Sequence, residues 1–171
     1  MSGIAPLFSE EQISARVETV AREIANAPLK PDIALPILAG SFVFAADLLR
    51  ALAKKRVSLP VEFIWLRRYG AERHGSEVAV LIGPPEELHG RTALLIDGVL
   101  DHGHTLMKAR DLLLENGAAT VIIAVAVDKN RHNALIKSDY ALFSGVTDFI
   151  VGYGMDDAGR GRGLPNIESV Q

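Results

Sequence analysis

The 171-residue chain contains no cysteine. That excludes disulfides and thiolate metal sites, and it suits a reducing, cytoplasmic location. Long apolar runs are also missing. Stretches such as Ala93–Ile96 and Val121–Val127 fall far short of the roughly 20 residues that a membrane-spanning helix requires. There is no excess of positive charge, the formal balance being -3, so nothing favours extended contact with a nucleic-acid backbone. The N-terminal Met1-Ser2-Gly3-Ile4-Ala5-Pro6 lacks a basic flank followed by an apolar stretch and does not read as a secretory signal. The five histidines form no HExxH-like ligand pattern. Internal repeats and low-complexity tracts are absent as well, so the expectation is one domain spanning residues 1–171.

What is present is an alternation of two hydrophobic periods. Ser9-Glu10-Glu11-Gln12 opens a helix as a capping box, and Ile13, Val17, Val20 and Ile24 recur on one face before Pro28 and Pro31 end it. Ile33–Leu38 reads as a strand, Ala39-Gly40-Ser41 as a turn and Phe42–Ala53 as a helix. Val57–Leu66 and Val78–Ile82 supply further strand regions, the latter ended by Gly83-Pro84-Pro85, and the polar stretch from Arg67 to Ser76 between them reads as an exposed loop. Ala93–Asp97 reads as a strand, residues from Thr105 to Asn116 as a helix closed by Gly117, and Val121–Val127 as another strand. Continuous apolar strands between amphipathic helices predict an α/β fold with a predominantly parallel sheet covered on both faces. Ligands then bind at the carboxyl ends of the strands. The tail after Asp148 carries Phe149-Ile150-Val151 and then glycines 152, 154, 159, 161 and 163, too many for a regular core element. It is expected to form a small glycine-rich hood.

One turn stands out chemically. Between a strand and a helix lies Asp101-His102-Gly103-His104-Thr105. A glycine that lets backbone approach, a hydroxyl at Thr105 and a helix N-terminus together suit a phosphate group. A turn of this kind also uses Gly, Asp and Thr merely to cap a helix, so the spacing alone leaves both readings open.

The stretch from Ile96 to Leu106 resembles the PRPP motif of type I phosphoribosyltransferases, and the resemblance extends over nearly the whole chain toward the hypoxanthine-guanine branch. The other segments that carry it are Phe8-Ser9-Glu10-Glu11-Gln12-Ile13, Leu38-Ala39-Gly40-Ser41-Phe42 with the helix at Ala45–Leu49, and Phe149-Ile150-Val151-Gly152-Tyr153-Gly154-Met155-Asp156. The resemblance implies transfer of phosphoribose from PRPP to hypoxanthine or guanine, giving IMP or GMP and pyrophosphate, with Mg2+ as cofactor. It implies Asp101 as proton acceptor at the purine, and Asp101, His102, Gly103, His104 and Thr105 around the 5′-phosphate. Asp97 falls to the ribose, Ala39, Gly40 and Arg162 to pyrophosphate, and Lys129, Phe149, Ile150 and Asp156 to the purine. Asp156 and Asp97 are the implied metal ligands, and Arg68 and Tyr69 begin a loop that closes over the site. A homo-oligomer, dimer or tetramer, follows from the same resemblance.

Three positions depart from the family pattern. Asp97-Gly98 stands where the family has two acids, His102 stands for a threonine, and Ala39 stands for a lysine, with the Ser41 hydroxyl expected to be offered to pyrophosphate instead. All three lie toward the phosphate and ribose end. They motivate an alternative, a non-catalytic purine-nucleotide-binding protein that retains the base and 5′-phosphate subsites.

Overall fold

The computed structural model describes residues 6–68, 78–86 and 88–170. In chain order the elements are α1 (Glu10–Asn26), β1 (Ile33–Leu38), α2 (Phe42–Lys54), β2 (Ile64–Arg68), β3 (Val78–Ile82), β4 (Thr92–Leu100), α3 (His104–Glu115), β5 (Thr120–Asp128), β6 (Tyr140–Ser144), β7 (Phe149–Val151) and β8 (Glu168–Val170).

Among the described residues β1 to β6 form one six-stranded sheet in the order β3-β2-β1-β4-β5-β6. Every neighbouring pair is parallel except β2 and β3, as the unbroken apolar runs at β1, β4 and β5 predict. Alternate residues divide those strands between two cores. Leu94, Ile96 and Ala124 meet α1 and α2 on one face, and Ala93, Leu95, Ile123 and Val125 meet α3 on the other. Burying a side chain such as Phe44, Leu48, Leu94 or Leu95 contributes about 1.5–3 kcal/mol each.

The topology fixes where a ligand can enter. From β1 the chain passes through α2 to β2 on one side, whereas from β4 it passes through α3 to β5 on the other. The order therefore reverses between the adjacent strands β1 and β4, and a crevice opens beyond their carboxyl ends.

The elements begin and end for local reasons. Ser9 Oγ accepts from Gln12 N–H while the Gln12 side chain accepts from Ser9 N–H, so the capping box forms in full. Gly117 follows α3 with φ near 92°, the left-handed conformation that glycine takes at a helix end.

Several sequence expectations are corrected. Strand β2 is confined to Ile64–Arg68, because residues 57–63 contribute only an isolated bridge from Val61 to Ala34. Strand β6 is an element that the periodicity did not reveal. The tail is more ordered than its glycine content suggests, for β7 pairs antiparallel with β8 and Tyr153, Met155 and Ile167 are buried. Of the polar stretch after Leu66, Arg67 and Arg68 end β2, and the remainder from Tyr69 to Ser76 lies outside the described residues.

Candidate functional site

A cavity of about 360 Å³ lies over the crevice between β1 and β4. Its walls come from three strand-end turns and from the tail. The turn after β1 contributes Ala39 and Gly40, the turn after β4 contributes Asp101 to Thr105, the turn after β5 contributes Lys129, and the tail contributes Phe149, Ile150, Asp156 and Arg162. Asp97, on β4, also faces it. Thus every site residue expected from the sequence lines this one cavity except Arg68, which is the last residue of β2, and Tyr69, which lies outside the described residues.

The turn after β4 is shaped by Gly103. Its φ is 86°, and a Cβ there would stand 2.7 Å from Ile136 Cγ2, so only glycine fits without displacement. Helix α3 starts directly after it at His104, one residue earlier than the periodicity predicts, and no side chain caps its N-terminus. The first-turn N–H groups therefore remain available to an anion in the cavity, and the helix dipole favours negative charge there. The rings of His102 and His104 lie on the same turn, 6.5 Å apart between centroids and inclined at 28°.

Asp101 sits among cations. Arg131 Nε donates to its Oδ1 at 2.8 Å, Lys129 Nζ stands 3.4 Å from Oδ2, and His102 Nδ1 stands 3.2 Å from Oδ1. Burial by itself would raise the Asp101 pKa, but the Arg131 hydrogen bond and the charges of Lys129, Arg131 and His102 outweigh it and hold the carboxyl below its usual range. Lys129 is itself only 8% exposed, so its charge acts at short range with little water between.

Arg131 was not singled out by the sequence, and neither was Asp128. Asp128 ends β5 and accepts from Asn130 N–H and from Ser138 Oγ, which ties down the turn bearing Lys129 and Arg131. The available signal was the Asp-Lys-Asn-Arg run itself, with two cations spaced by one residue after a buried strand.

Phe149 is 52% exposed at the mouth, so it is not a core aromatic, whereas the adjacent Ile150 is buried between β7 and the sheet. Arg162 spans two acceptors, donating through Nη1 to the Gly154 carbonyl and pairing through Nη2 with Asp156 Oδ1, both near 2.8 Å. Asp156 Oδ2 accepts from Gly159 N–H. Asp97 has fewer partners: its Oδ1 accepts from Gly98 N–H at 2.7 Å, and desolvation pushes its pKa up to about 7.

Ser41 corrects an expectation. Standing beside Ala39 and Gly40, it reads from sequence as a hydroxyl offered to pyrophosphate in place of the missing lysine. Instead it is fully buried and its Oγ donates to the Ile37 carbonyl at 2.6 Å. The peptide between Leu38 and Ala39 is cis.

For a divalent cation the cavity offers hard oxygen donors in Asp97 and Asp156, but no cluster of three or more His, Cys, Asp or Glu side chains fit to hold a metal is found among the described residues. Two carboxylates suit magnesium that is held largely by substrate oxygens and water.

Comparison with known proteins agrees with this geometry. Residues 6–158 match the phosphoribosyl transferase domain. The chain is 31% identical over 169 residues to the hypoxanthine-guanine phosphoribosyltransferase of Aquifex aeolicus, covering 96% of this chain and 93% of that protein. Identity and coverage are the same for the hypoxanthine phosphoribosyltransferase of Escherichia coli K12. The structure of the Trypanosoma cruzi hypoxanthine phosphoribosyltransferase in complex with the product IMP superposes with a TM-score of 0.87 at 28% identity, over 100% of this chain and 96% of the other. An uncapped helix N-terminus, a carboxylate held by cations and an exposed aromatic thus meet at the switch point of a sheet shared along nearly the full length of these enzymes, and the chain belongs to the phosphoribosyltransferase family.

Proposed function

We infer that this chain is a hypoxanthine/guanine phosphoribosyltransferase acting in purine salvage, carried by a single domain. It joins a 6-oxopurine to the anomeric carbon of PRPP, forming IMP or GMP. A carbon–nitrogen bond forms, the bond from that carbon to pyrophosphate breaks, and the purine gives up a proton. The observation that carries the reading is the meeting of Asp101, Lys129, Phe149 and the uncapped N-terminus of α3 around one cavity.

The roles follow from chemistry. The 5′-phosphate is received by the first-turn N–H groups of α3 and by Thr105, with charge-assisted hydrogen bonds contributing about 1.5–3 kcal/mol each. The His102 and His104 rings flank it. Phe149 stacks on the base, worth about 1–3 kcal/mol. Lys129 donates to the exocyclic oxygen of a 6-oxopurine, a contact that a 6-aminopurine cannot accept.

Asp101 receives the purine proton. Its ionised state is secured by Arg131, Lys129 and His102 before substrate arrives. When Lys129 turns to the base, Asp101 loses one of its cations and becomes more basic at the moment a proton must be taken. The negative carboxylate also favours the positive charge that develops on the sugar.

Arg162, with the backbone of Ala39 and Gly40, faces the pyrophosphate. Asp97 takes the ribose hydroxyls. Asp156 and Asp97 would hold magnesium together with substrate oxygens, and the ion would supply neutralisation of the pyrophosphate leaving group. The non-catalytic alternative is less well supported, because the likeness to named transferases runs through both ends of the chain. The reading includes a cytoplasmic location and a homo-oligomer, dimer or tetramer. Exposed apolar side chains on β2 and β3, among them Trp65, Leu81 and Ile82, are consistent with self-association.

The test is turnover of PRPP with hypoxanthine, guanine, xanthine and adenine, each with and without magnesium. Magnesium-dependent formation of IMP and GMP, with adenine unused, is the expected outcome. Adenine used as well as hypoxanthine would remove Lys129 from its assigned role.

A further inference from the structure

Gly98 stands where the family carries its second acid, and its surroundings give that glycine a different task. A Cβ built on Gly98 would lie 2.7 Å from the carbonyl oxygen of Gly40, 3.2 Å from the Gly40 carbonyl carbon and 3.2 Å from Met155 Cγ. Contacts that short are not tolerated between a methyl and backbone, so β4 and the turn after β1 approach each other only because residue 98 has no side chain. The same oxygen is approached by a second glycine. A Cβ on Gly154, whose φ is 97°, would lie 2.6 Å from Gly40 O.

The Gly40 carbonyl therefore sits in a slot formed by two glycines, one on β4 and one on the tail turn. Neither wall is loose. Gly154 is paired with Arg162 in both directions, its N–H donating to the Arg162 carbonyl at 2.9 Å and its own carbonyl accepting from Arg162 Nη1 at 2.8 Å. The turn itself is pinned beyond the slot by the buried Ser41, whose Oγ holds Ile37 O and whose carbonyl accepts from Ala45 N–H. A side chain at 98 cannot be absorbed by flexible atoms; backbone has to move.

We propose that Gly98 is a positioning residue, which with Gly154 seats the Gly40 carbonyl and thereby fixes the Leu38–Gly40 turn and Arg162 in one arrangement that selects pyrophosphate-bearing ligands. The proposal rests on the reading of this cavity as the PRPP site. It accounts for two departures at once. With a side-chain-free residue at 98 the turn closes directly onto β4, and backbone packing orders a segment from which the family's lysine has been lost. It also implies that restoring an acid at 98 opens the slot rather than recovering a ribose contact.

The slot is tested by calorimetry with PRPP, with magnesium pyrophosphate and with IMP, on wild type, Gly98→Ala, Gly98→Asp and the control Gly83→Ala, whose added methyl meets only Val80 at 3.8 Å. Displacing the turn is expected to weaken PRPP and pyrophosphate by about tenfold or more in both residue-98 variants. IMP, which lacks pyrophosphate, is expected to bind Gly98→Ala as it binds wild type, and Gly83→Ala is expected to match wild type throughout. PRPP binding unchanged in Gly98→Ala, or PRPP and IMP weakened equally, would overturn the role of Gly98 while leaving the site reading intact. Wild type that binds IMP but neither PRPP nor pyrophosphate would remove the site reading and the proposal with it. Should Gly98→Ala fail to fold, amide resonances of wild type decide. Magnesium pyrophosphate is expected to shift Gly98 and Gly154 together with Ala39 and Gly40, and a response confined to Ala39 and Gly40 contradicts the slot.

Discussion

The two ends of the cavity are built by different means. At the end proposed for the purine the groups on offer are side chains: Asp101, Lys129 and Arg131 carry charge, and Phe149 offers an exposed ring. At the end proposed for pyrophosphate the groups are mostly backbone, with the Leu38–Gly40 turn, Gly98 and Gly154 in close approach and Arg162 as the cation. A site of side chains tolerates altered neighbours but loses function when one of its own members changes. A site of packed backbone can lose a family side chain, as at Ala39, and still hold its shape, yet it is sensitive to a single methyl.

That contrast predicts the largest effect at the purine end. Asp101→Asn removes the proton acceptor while retaining the shape, and turnover should fall about a hundred- to ten-thousandfold with binding of IMP largely kept. A steady-state assay alongside IMP calorimetry checks this. A wild-type rate in the Asp101→Asn variant would mean that Asp101 only organises the cations around it.

Lys129→Met comes next. Loss of a charged hydrogen bond to the base should cost about 1.5–3 kcal/mol, roughly ten- to a hundredfold in kcat/KM for hypoxanthine. PRPP binding should change little if the two ends are independent, and a comparable loss of PRPP affinity would break the comparison.

The third effect is pH-dependent and belongs to the other end. In the fold Asp97 keeps its proton up to about pH 7, against 3.8 for the ordinary carboxyl. Because the unfolded chain releases that proton first, Asp97 lowers stability progressively as pH rises from 3.8 to about 7 and adds no further slope above. Binding that needs the ionised carboxylate runs the opposite way. Magnesium-dependent PRPP affinity should increase as pH passes through about 7, and Asp97→Asn should abolish that increase. Titration calorimetry from acid to alkaline pH reads it, and the same pH step persisting in the Asp97→Asn variant would assign it elsewhere.

The smallest effect tests whether both ends are insulated from the rest of the fold. Ser9→Ala removes the cap of α1, far from the cavity. It should cost about 1 kcal/mol. For a chain of this size that is a fall of about 2–4 °C in Tm, with kinetic constants unchanged.

Much of this architecture was legible in the chain. Ile33–Leu38, Val78–Ile82 and the capping box at Ser9 declared themselves through period and turn chemistry, and Asp101–Thr105 declared itself as a turn between a strand and a helix. What stayed hidden depends on distant packing. Tyr140–Ser144 is a short edge strand whose pattern is no stronger than that of a loop, and its pairing with β5 decides it. Ser41 looked like a free hydroxyl because sequence does not show which way a turn faces. Arg131 gains its meaning from an Asp 30 residues earlier. Gly98 read as a missing acid, since the carbonyl that requires its bareness comes from Gly40 on the neighbouring strand's turn.

The most direct test of phosphoribosyl transfer is to supply PRPP, hypoxanthine and magnesium and follow IMP and pyrophosphate together. Equimolar formation of both, abolished in Asp101→Asn, is the predicted result. A folded protein that binds IMP yet releases no pyrophosphate with any purine would contradict the account.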